Sequence, residues 1–293
     1  MAVYKRKYNA YTGSLTRERS RFFVLTRYAF ADLFKSRVFV LLLVLGFIPT
    51  LGFGGYIFLA NNQSVQMLLQ IRGNSVFSID AEFFIILVTV QTQLAFLLDC
   101  WVGPVLISGD LTNGALPLFL SRPLGRPEYV LGKFAVLALL FSAVTWVPSL
   151  LLFGLQAGLA KGWLWSHLWM VVPIVLCSAI WILVLSLLAL AVSAWVKLRI
   201  VATGVIFIAF SVPAGIGEIF NAIMGTYWGH LLNFPYLFRL ILTQGFGDPE
   251  RFTNIRLGPE IPVAAAWAMM LLLCVISLLM INTRLKAREV VRG

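Results

Sequence analysis

The sequence is poor in charged residues, and this shortage excludes an ordinary water-soluble globular protein. Asp, Glu, Lys and Arg make up 12% of its 293 residues, whereas apolar residues make up 60%. Soluble domains carry about a quarter charged residues. Because so few charged side chains cannot cover a water-facing surface of this size, most of the surface must face lipid.

Cysteine and histidine are also scarce, which limits metal and redox chemistry. Cys100, Cys177 and Cys274 all lie inside apolar runs, and their spacing matches neither a CxxC metal site nor a disulfide framework. Cysteines in such surroundings usually act as small packing residues. The two histidines, His167 and His230, lie near the predicted outer interface, not as a facing pair of haem ligands within the bilayer. We therefore expect that this chain is not an enzyme and holds no metal or cofactor.

The amino-terminal residues do not read as a secretory signal peptide. Residues 1–37 contain nine Lys and Arg but no long apolar core followed by a small-residue cleavage site. The net charge of +11 is typical of some nucleic-acid-binding proteins, but those cluster their charge on a folded face. Here the basic residues lie at the ends of apolar runs, so we expect no nucleic-acid partner and a role in membrane topology.

Six apolar runs are long enough to cross a bilayer. A transmembrane helix needs about 20 mostly apolar residues. The sequence therefore predicts an all-α membrane protein, with a six-helix transmembrane domain over residues 38–282, preceded by residues 1–37 and followed by a tail at 283–293. The predicted spans are 38–60, 82–107, 131–158, 168–195, 200–217 and 262–282.

The distribution of Lys and Arg predicts the orientation of these spans. Cytoplasmic loops carry the excess of Lys and Arg. If both termini are cytoplasmic, the cytoplasmic segments hold 18 of the 23 Lys and Arg residues and the outer segments hold five. We therefore expect a multi-pass protein of the cytoplasmic (inner) membrane, with both termini in the cytoplasm.

An amphipathic segment precedes the first span. In residues 21–37, one helical face carries Phe22, Leu25, Ala29 and Leu33, while basic side chains at other positions can reach lipid headgroups. Such a pattern predicts an elbow helix that lies in the inner interface. The alternative is that the segment is the frayed beginning of the first span.

The outer segment between spans 5 and 6, residues 218–261, is too long for a plain hairpin. Apolar residues recur at helical spacing from Ile219 to Leu232, and Pro235 then ends that pattern. A second short apolar run covers residues 236–242. We expect two short helices on or in the outer leaflet.

A compact polar segment separates spans 2 and 3 on the cytoplasmic side: "SGDLTNGALPLFLSRPLGRPEYVLGKF", residues 108–134. Asp110 lies just past the predicted inner end of span 2. Pro127 suits the first turn of the next helix, and Glu128 complements the positive end of that helix. Lys133 is expected to reach back to the headgroups. These features predict a short, rigid cytoplasmic elbow.

The segment resembles the permeases of the ABC-2 type transporter family. The shared pattern is an acid, Gly-(Ala/Thr)-Leu, several apolar residues, Ser-Arg-Pro, Arg and finally Gly-Lys at the beginning of a span; the family usually has Glu at Asp110 and Thr at Ala115. The six-span layout, elbow helix and outer helices also match, so the resemblance covers the whole chain. Its positions here include Asp110, Gly114, Leu116, Ser121, Arg122, Pro123, Arg126 and Lys133.

The resemblance implies a permease that pairs with a second permease subunit, a copy or a related chain, and docks an ABC ATPase under residues 108–130. On that reading Asp110 and Arg122 orient the elbow by charge, and Arg126 with Glu128 holds the base of span 3. The groove on the ATPase is filled by Leu116, Leu118, Phe119 and Leu120. Two alternatives are a loop whose basic residues only enforce topology and a non-transporting membrane anchor or assembly subunit.

The chain itself has no nucleotide-binding motif at this segment. Six residues separate Gly125 from Gly132, where a P-loop has four, and Phe134 replaces the Ser or Thr that binds magnesium. ATP and Mg²⁺ are therefore expected in the partner ATPase subunit. The substrate cannot be assigned from this pattern.

Two polar residues lie deep in predicted span 2. Gln91 and Asp99 share one helical face with Ala95. Intramembrane ionisable residues are costly and usually face protein or water. Asp99 is expected either to pair with a basic residue near the inner interface or, with Gln91, to line the transport route or a contact between permeases.

The predicted orientation can be tested by cysteine labelling. In a chain with Cys100, Cys177 and Cys274 replaced by Ala, we expect Ser121→Cys to react with a membrane-impermeant maleimide only in inside-out vesicles. Thr253→Cys, between spans 5 and 6, should react only in intact spheroplasts. Labelling of Ser121→Cys from the outer face would contradict the topology.

Overall fold

The computed structural model describes residues 21–68, 79–112, 126–196, 198–247 and 261–284, and this part of the chain is helical without a β-strand. The all-α prediction is confirmed. Two 3₁₀ turns, Leu168–Met170 and Trp228–Leu232, supplement the α-helices. The helices are α1 (Arg21–Phe34), α2 (Arg37–Asn61), α3 (Gln63–Leu68), α4 (Ala81–Thr112), α5 (Arg126–Val144), α6 (Trp146–Leu159), α7 (Trp163–His167), α8 (Val171–Trp195), α9 (Arg199–Met224), α10 (Phe234–Gly245) and α11 (Val263–Arg284).

Six helical stretches are long and apolar enough to cross a membrane, as predicted. We number them spans 1 to 6, and the shorter helices α1, α3 and α10 lie outside them. The spans are Arg37–Asn61, Ala81–Asp110, Pro127–Leu159, Trp163–Trp195, Arg199–Met224 and Val263–Arg284.

Span 4 forms the centre of the bundle and is its most buried span, because spans 2, 3 and 6 pack around it. Spans 2 and 4 approach closely at Gly103, where an added Cβ would lie 2.5 Å from the Cβ of Ala189. Small residues permit such contacts between membrane helices. Spans 1, 5 and 6 lie at the periphery and expose large apolar side chains suited to lipid.

Pro104 interrupts the backbone ladder of span 2, and side chains from spans 4 and 5 restore its hydrogen bonds. A proline cannot donate to the carbonyl four residues before it. Here Thr203 Oγ1 donates to the Cys100 carbonyl at 2.9 Å. Ser193 Oγ accepts from the backbone N–H of Ile107 and Ser108 at 3.1 and 2.9 Å, and it lies 2.9 Å from the Pro104 carbonyl, to which it donates. Spans 2, 4 and 5 are therefore joined at this kink.

Span 3 is one helix in the prediction but two in the structure. Helix α5 ends at Val144 and α6 begins at Trp146, with Thr145 between them in a non-helical conformation. The ring of Pro148 disfavours a regular helix at the carbonyl of Val144, four residues earlier. At the break, the Phe141 carbonyl accepts from both the backbone N–H and the hydroxyl of Thr145, at 2.9 and 2.7 Å.

Span 5 is longer than predicted, because α9 passes through Pro213 and ends only at Met224. Membrane helices tolerate an internal proline when neighbouring groups satisfy the freed carbonyl. The apolar pattern from Ile219 to Leu232 is therefore the end of α9 followed by a 3₁₀ turn, and not a separate outer helix. Gly217 and Gly229 are in backbone contact, which no larger residue would permit. The second predicted short helix is present as α10.

The amino-terminal segment forms a helix of its own and not the frayed beginning of span 1. Helix α1 ends at Phe34, and Ser36 caps span 1 by accepting from the Phe39 N–H at 3.4 Å. Thr26 Oγ1 donates to the carbonyl of Gly132 at 3.0 Å, which attaches α1 to span 3. The position of α1 in the membrane interface stays a prediction, and residues 1–20 and 285–293 lie outside the described part of the chain.

The role of Ser193 at the Pro104 kink can be measured by unfolding. We expect Ser193→Ala to lower the free energy of unfolding by about 1–2 kcal/mol, because two backbone N–H groups and one carbonyl lose a buried partner. Unfolding is followed by adding dodecyl sulfate to dodecylmaltoside micelles.

Ser186→Ala is the matched control, since the Ser186 hydroxyl is on the same helix and has no hydrogen-bond partner among the described residues. It should unfold like the parent chain. Equal effects of the two substitutions would refute the proposed role of Ser193.

Candidate functional site

A buried ion pair joins spans 2 and 3 at the end of the bundle that carries Asp110, here called the Asp110 end. The Lys133 Nζ lies 2.8 Å from Asp110 Oδ2, and the Tyr129 hydroxyl donates to the same oxygen at 2.7 Å. The Lys133 side chain is 8% exposed and that of Asp110 is 21% exposed. Asp110, near the end of α4, is therefore linked to two side chains of α5, Tyr129 and Lys133.

Helical spacing places these three side chains together. Asp110 lies in the last turn of span 2, and α5 begins at Arg126 on the other side of the connecting segment. Tyr129 and Lys133 are four residues apart, so they lie on the same face of α5. The Lys133 Nζ is 5.6 Å from the centre of the Tyr129 ring, which adds a cation–π contact.

The expectation that Lys133 reaches the headgroups is wrong, because its ammonium pairs with Asp110 inside the bundle. Helix α1 packs against α5 at this place, and Lys133 is buried there. A buried ammonium is stable only when it is paired and hydrogen-bonded. Asp110 itself lies within α4 and not past its end, because α4 runs to Thr112.

A cavity of about 270 Å³, lined by both apolar and charged side chains, adjoins the ion pair. Its walls come from α1, the beginnings of spans 1 and 5, the end of span 2, and Lys133. Arg199 lies over the Trp101 ring, with its Cζ 4.2 Å from the ring centre. Charged and hydrogen-bonding side chains in the lining are Asp32, Ser36, Asp110, Lys133 and Arg199.

Spans 4 and 6 meet at the same end through a second cation–aromatic contact. The Arg284 Cζ lies 5.4 Å from the centre of the Trp195 ring, and the Trp195 Nε1–H donates to the carbonyl of Met280 at 3.1 Å. Arginine stacks well on indole because its guanidinium is planar and weakly hydrated. Five of the six spans therefore end or begin in contacts that involve a charged side chain at the Asp110 end.

Most of the predicted coupling residues lie outside the described part of the chain. The structure describes Asp110, Glu128 and Lys133, and it places Glu128, half-buried, in the first turn of α5. Arg126 is described only as the first residue of that helix. No structural statement is made of Gly114, Leu116, Leu118, Phe119, Leu120, Ser121, Arg122 and Pro123.

The structure buries Gln91 and Asp99 inside the bundle, where both side chains are 0% exposed. Gln91 Nε2 donates to Thr50 Oγ1 at 3.4 Å, and Gln91 Oε1 accepts from Ser149 Oγ, so it joins spans 1, 2 and 3. Both carboxyl oxygens of Asp99 are without a hydrogen-bond partner within the described residues.

The expected pairing of Asp99 with a basic residue is therefore not seen among the described residues. A contact of Gln91 and Asp99 with a second permease subunit stays a prediction. A position along a transport route stays a prediction for both residues.

Sequence reasoning missed Tyr129, Trp101, Arg199 and Ser193 as members of these contacts. The i, i+4 spacing of Tyr129 and Lys133 was a signal for a joint contact. Trp101 and Arg199 are almost 100 residues apart, and only the packing of spans 2 and 5 brings them together. Ser193 lies in an apolar helix, and nothing in the sequence around it indicates that it contacts Pro104 of another helix.

In comparisons by sequence, no protein-family model and no curated protein matches this chain. The functional interpretation therefore depends on the residues and contacts described above. Within the described ranges, no group of three or more His, Cys, Asp or Glu side chains is arranged to hold a metal ion.

The strength of the ion pair can be measured by unfolding. We expect Lys133→Met to lower the free energy of unfolding by about 2 kcal/mol, because Asp110 keeps a poorly hydrated charge without its partner; the partial exposure of Asp110 holds the loss below that of a fully buried pair. Lys133→Met combined with Asp110→Asn should recover most of this loss.

Lys35→Met is the control, because the Lys35–Asp32 pair has the same 2.8 Å separation but is mostly exposed. Exposed pairs contribute little, so this substitution should change stability by less than about 0.5 kcal/mol. A double variant that is less stable than Lys133→Met alone would contradict the ion-pair interpretation.

Proposed function

We propose that this chain is the permease subunit of an ATP-driven exporter similar to the ABC-2 transporters. Two permease subunits would form the membrane part of the complex, with both termini of each in the cytoplasm. A separate ABC ATPase would dock beneath residues 108–130 and supply ATP and Mg²⁺. The chain's own role is to convert movement of this segment into a rearrangement of its spans.

The observation that supports this proposal most directly is the Asp110–Lys133 ion pair with its Tyr129 hydrogen bond. The pair joins the last turns of α4 to the beginning of α5, the two helices that residues 113–125 connect in the sequence. A force on that connecting segment would act on spans 2 and 3 together, because their ends are held at 2.8 Å. A loop that only enforces topology has no need of such a buried contact.

Helix α1 would share this movement, since it is attached to the same region of span 3. The Thr26–Gly132 hydrogen bond lies one residue from Lys133 in the sequence of α5. An ATPase that pushes the connecting segment would therefore displace α1, span 2 and span 3 as a unit. This is the arrangement expected of a lever beneath a membrane domain.

The Pro104 kink offers a place at which this displacement could reach the rest of the bundle. Pro104 lies six residues before Asp110 in the same helix, and kinks of this type occur where a side chain enters the backbone ladder. Ser193 of span 4 and Thr203 of span 5 contact the kink directly. Bending of span 2 at Pro104 would therefore change the packing of spans 4 and 5.

The proposal is tested by isolating the complex. Purification of the tagged chain in mild detergent should recover a subunit with Walker motifs whose ATP hydrolysis is stimulated by the permease. Asp110→Ala and Arg122→Ala should insert and assemble but lower the stimulated hydrolysis at least about tenfold, because force transfer depends on the elbow. Leu271→Ala, on the exposed face of span 6, is a control that should leave hydrolysis unchanged.

The result also distinguishes transport from membrane anchoring. A non-transporting anchor or assembly subunit would co-purify with partners that lack Walker motifs. In that case, Asp110→Ala and Arg122→Ala would also leave the ATP hydrolysis measured in the purified complex unchanged. Either outcome would overturn the proposed function.

A further inference from the structure

A cleft between spans 1 and 2, at the end of the bundle opposite Asp110, is not used by the coupling mechanism. Its volume is about 480 Å³, which lies within the range of about 300–1,000 Å³ typical of small-molecule sites. One wall is a single face of span 1, and the other is the beginning of span 2. The span 1–span 2 cleft is lined by Pro49, Gly52, Phe53, Tyr56, Asp80, Glu82, Phe83 and Ile86.

Aromatic rings form the inner part of this cleft. The rings of Tyr56 and Phe83 are stacked with their centres 5.5 Å apart, and Phe53 meets Phe83 edge-on at 5.2 Å. Phe83 is buried, whereas Phe53 and Tyr56 are half-buried and present surface to the cleft. Ring faces carry negative electrostatic potential and attract organic cations, most strongly where water is excluded.

Two carboxylates stand at the mouth of the cleft. Asp80 directly precedes span 2 and Glu82 lies in its first turn, and both residues are exposed. Neither forms an ion pair with another residue in the described ranges, and no Lys or Arg is among the described residues that line the cleft. The positive end of span 2 accounts for acids at these positions. It does not account for the aromatic cleft directly beneath them.

From this arrangement we propose that the span 1–span 2 cleft binds an amphipathic organic cation, a molecule with a quaternary or protonated onium group on an apolar body. The positive group lies between Asp80 and Glu82 and against Tyr56. The apolar body extends along Phe53, Phe83 and Ile86. An anionic or strongly polar solute would meet like charge at the mouth and dry aromatic surface within.

The depth of the cleft matches the way such a molecule enters a membrane. Amphipathic cations place their charged group at the headgroup level and their apolar part among the acyl chains. Asp80 and Glu82 lie at the beginning of span 2 with Phe83 next to Glu82, and Tyr56 and Phe53 lie five and eight residues before the end of span 1 at Asn61. The ligand can therefore move from the lipid into the cleft while its charged group stays near polar groups and its apolar body stays in apolar surroundings.

Gly52 leaves room for the ligand in the wall formed by span 1. A Cβ added at Gly52 would meet no atom within 4 Å, so a larger side chain there would enter the cleft without disturbing the packing. Gly55 has the same open surroundings but is not part of the lining. The two glycines therefore supply a blocking variant and a matched control on the same helix.

The test uses radiolabelled tetraphenylphosphonium, with tetraphenylborate as a probe of the same shape and opposite charge. Equilibrium binding is measured on the purified full chain in nanodiscs, with empty nanodiscs subtracted. We expect saturable binding of the phosphonium and none of the borate. Asp80→Asn combined with Glu82→Gln, and separately Gly52→Leu, should each weaken phosphonium binding at least about tenfold. Gly55→Leu should bind like the parent chain.

Three results would overturn the proposal: non-saturable uptake that matches empty nanodiscs, equal binding of the two probes, or unchanged affinity in the Asp80→Asn/Glu82→Gln chain. The binding claim does not depend on the proposed transport function, but the view that the bound cation is a transported substrate does. Saturable phosphonium binding without an ATPase partner would support the site and refute the function. An ATPase partner without phosphonium binding would support the proposed function and refute the cation site.

Discussion

The structure depends on a requirement that lipid imposes on every polypeptide within it: each backbone polar group must find its partner inside the protein. Span 2 shows the requirement most clearly. Pro104 leaves the Cys100 carbonyl without its helical donor, and the hydroxyl of Thr203 from span 5 takes that place. On the other side of Pro104, the Ser193 hydroxyl of span 4 accepts hydrogen bonds from the backbone N–H groups of Ile107 and Ser108. Two spans are thus positioned against a third by hydrogen bonds that a soluble protein could leave to water.

The same requirement explains the polar contacts at the two other levels of the bundle. In the middle, Gln91 joins spans 1 and 3 through Thr50 and Ser149. At the Asp110 end, a carboxylate, an ammonium and a phenol satisfy one another. Asp99 is the charged-type exception among several buried polar side chains that lack a partner within the described residues, and it is fully buried. Unpartnered buried polar groups are uncommon, and within a membrane they mark sites at which a function is expected.

The number and approximate limits of the six spans were predictable, because hydropathy and helix length depend on local sequence alone. The positions at which helices break or continue were not predictable. Pro148 and Pro213 look alike in the sequence, yet the helix breaks at Thr145 and continues through Pro213. At the candidate site, Asp110 and Lys133 were both identified, but their pairing was not. Lysine near a helix end can reach the headgroups or a buried acid, and packing of α1 against span 3 selects the second.

The attachment of α1 to span 3 has a consequence for the order in which the protein is made. Thr26 donates to a carbonyl that lies 106 residues later in the chain. At the usual pace of translation of about 5–20 residues per second, that carbonyl leaves the ribosome about 5–20 s after the threonine. During this interval α1 can contact span 1 through Phe34 and Phe39, but its partner on span 3 has not yet been made. Helix α1 is thus synthesised before span 1 but can reach its final contacts only after span 3 has begun to emerge.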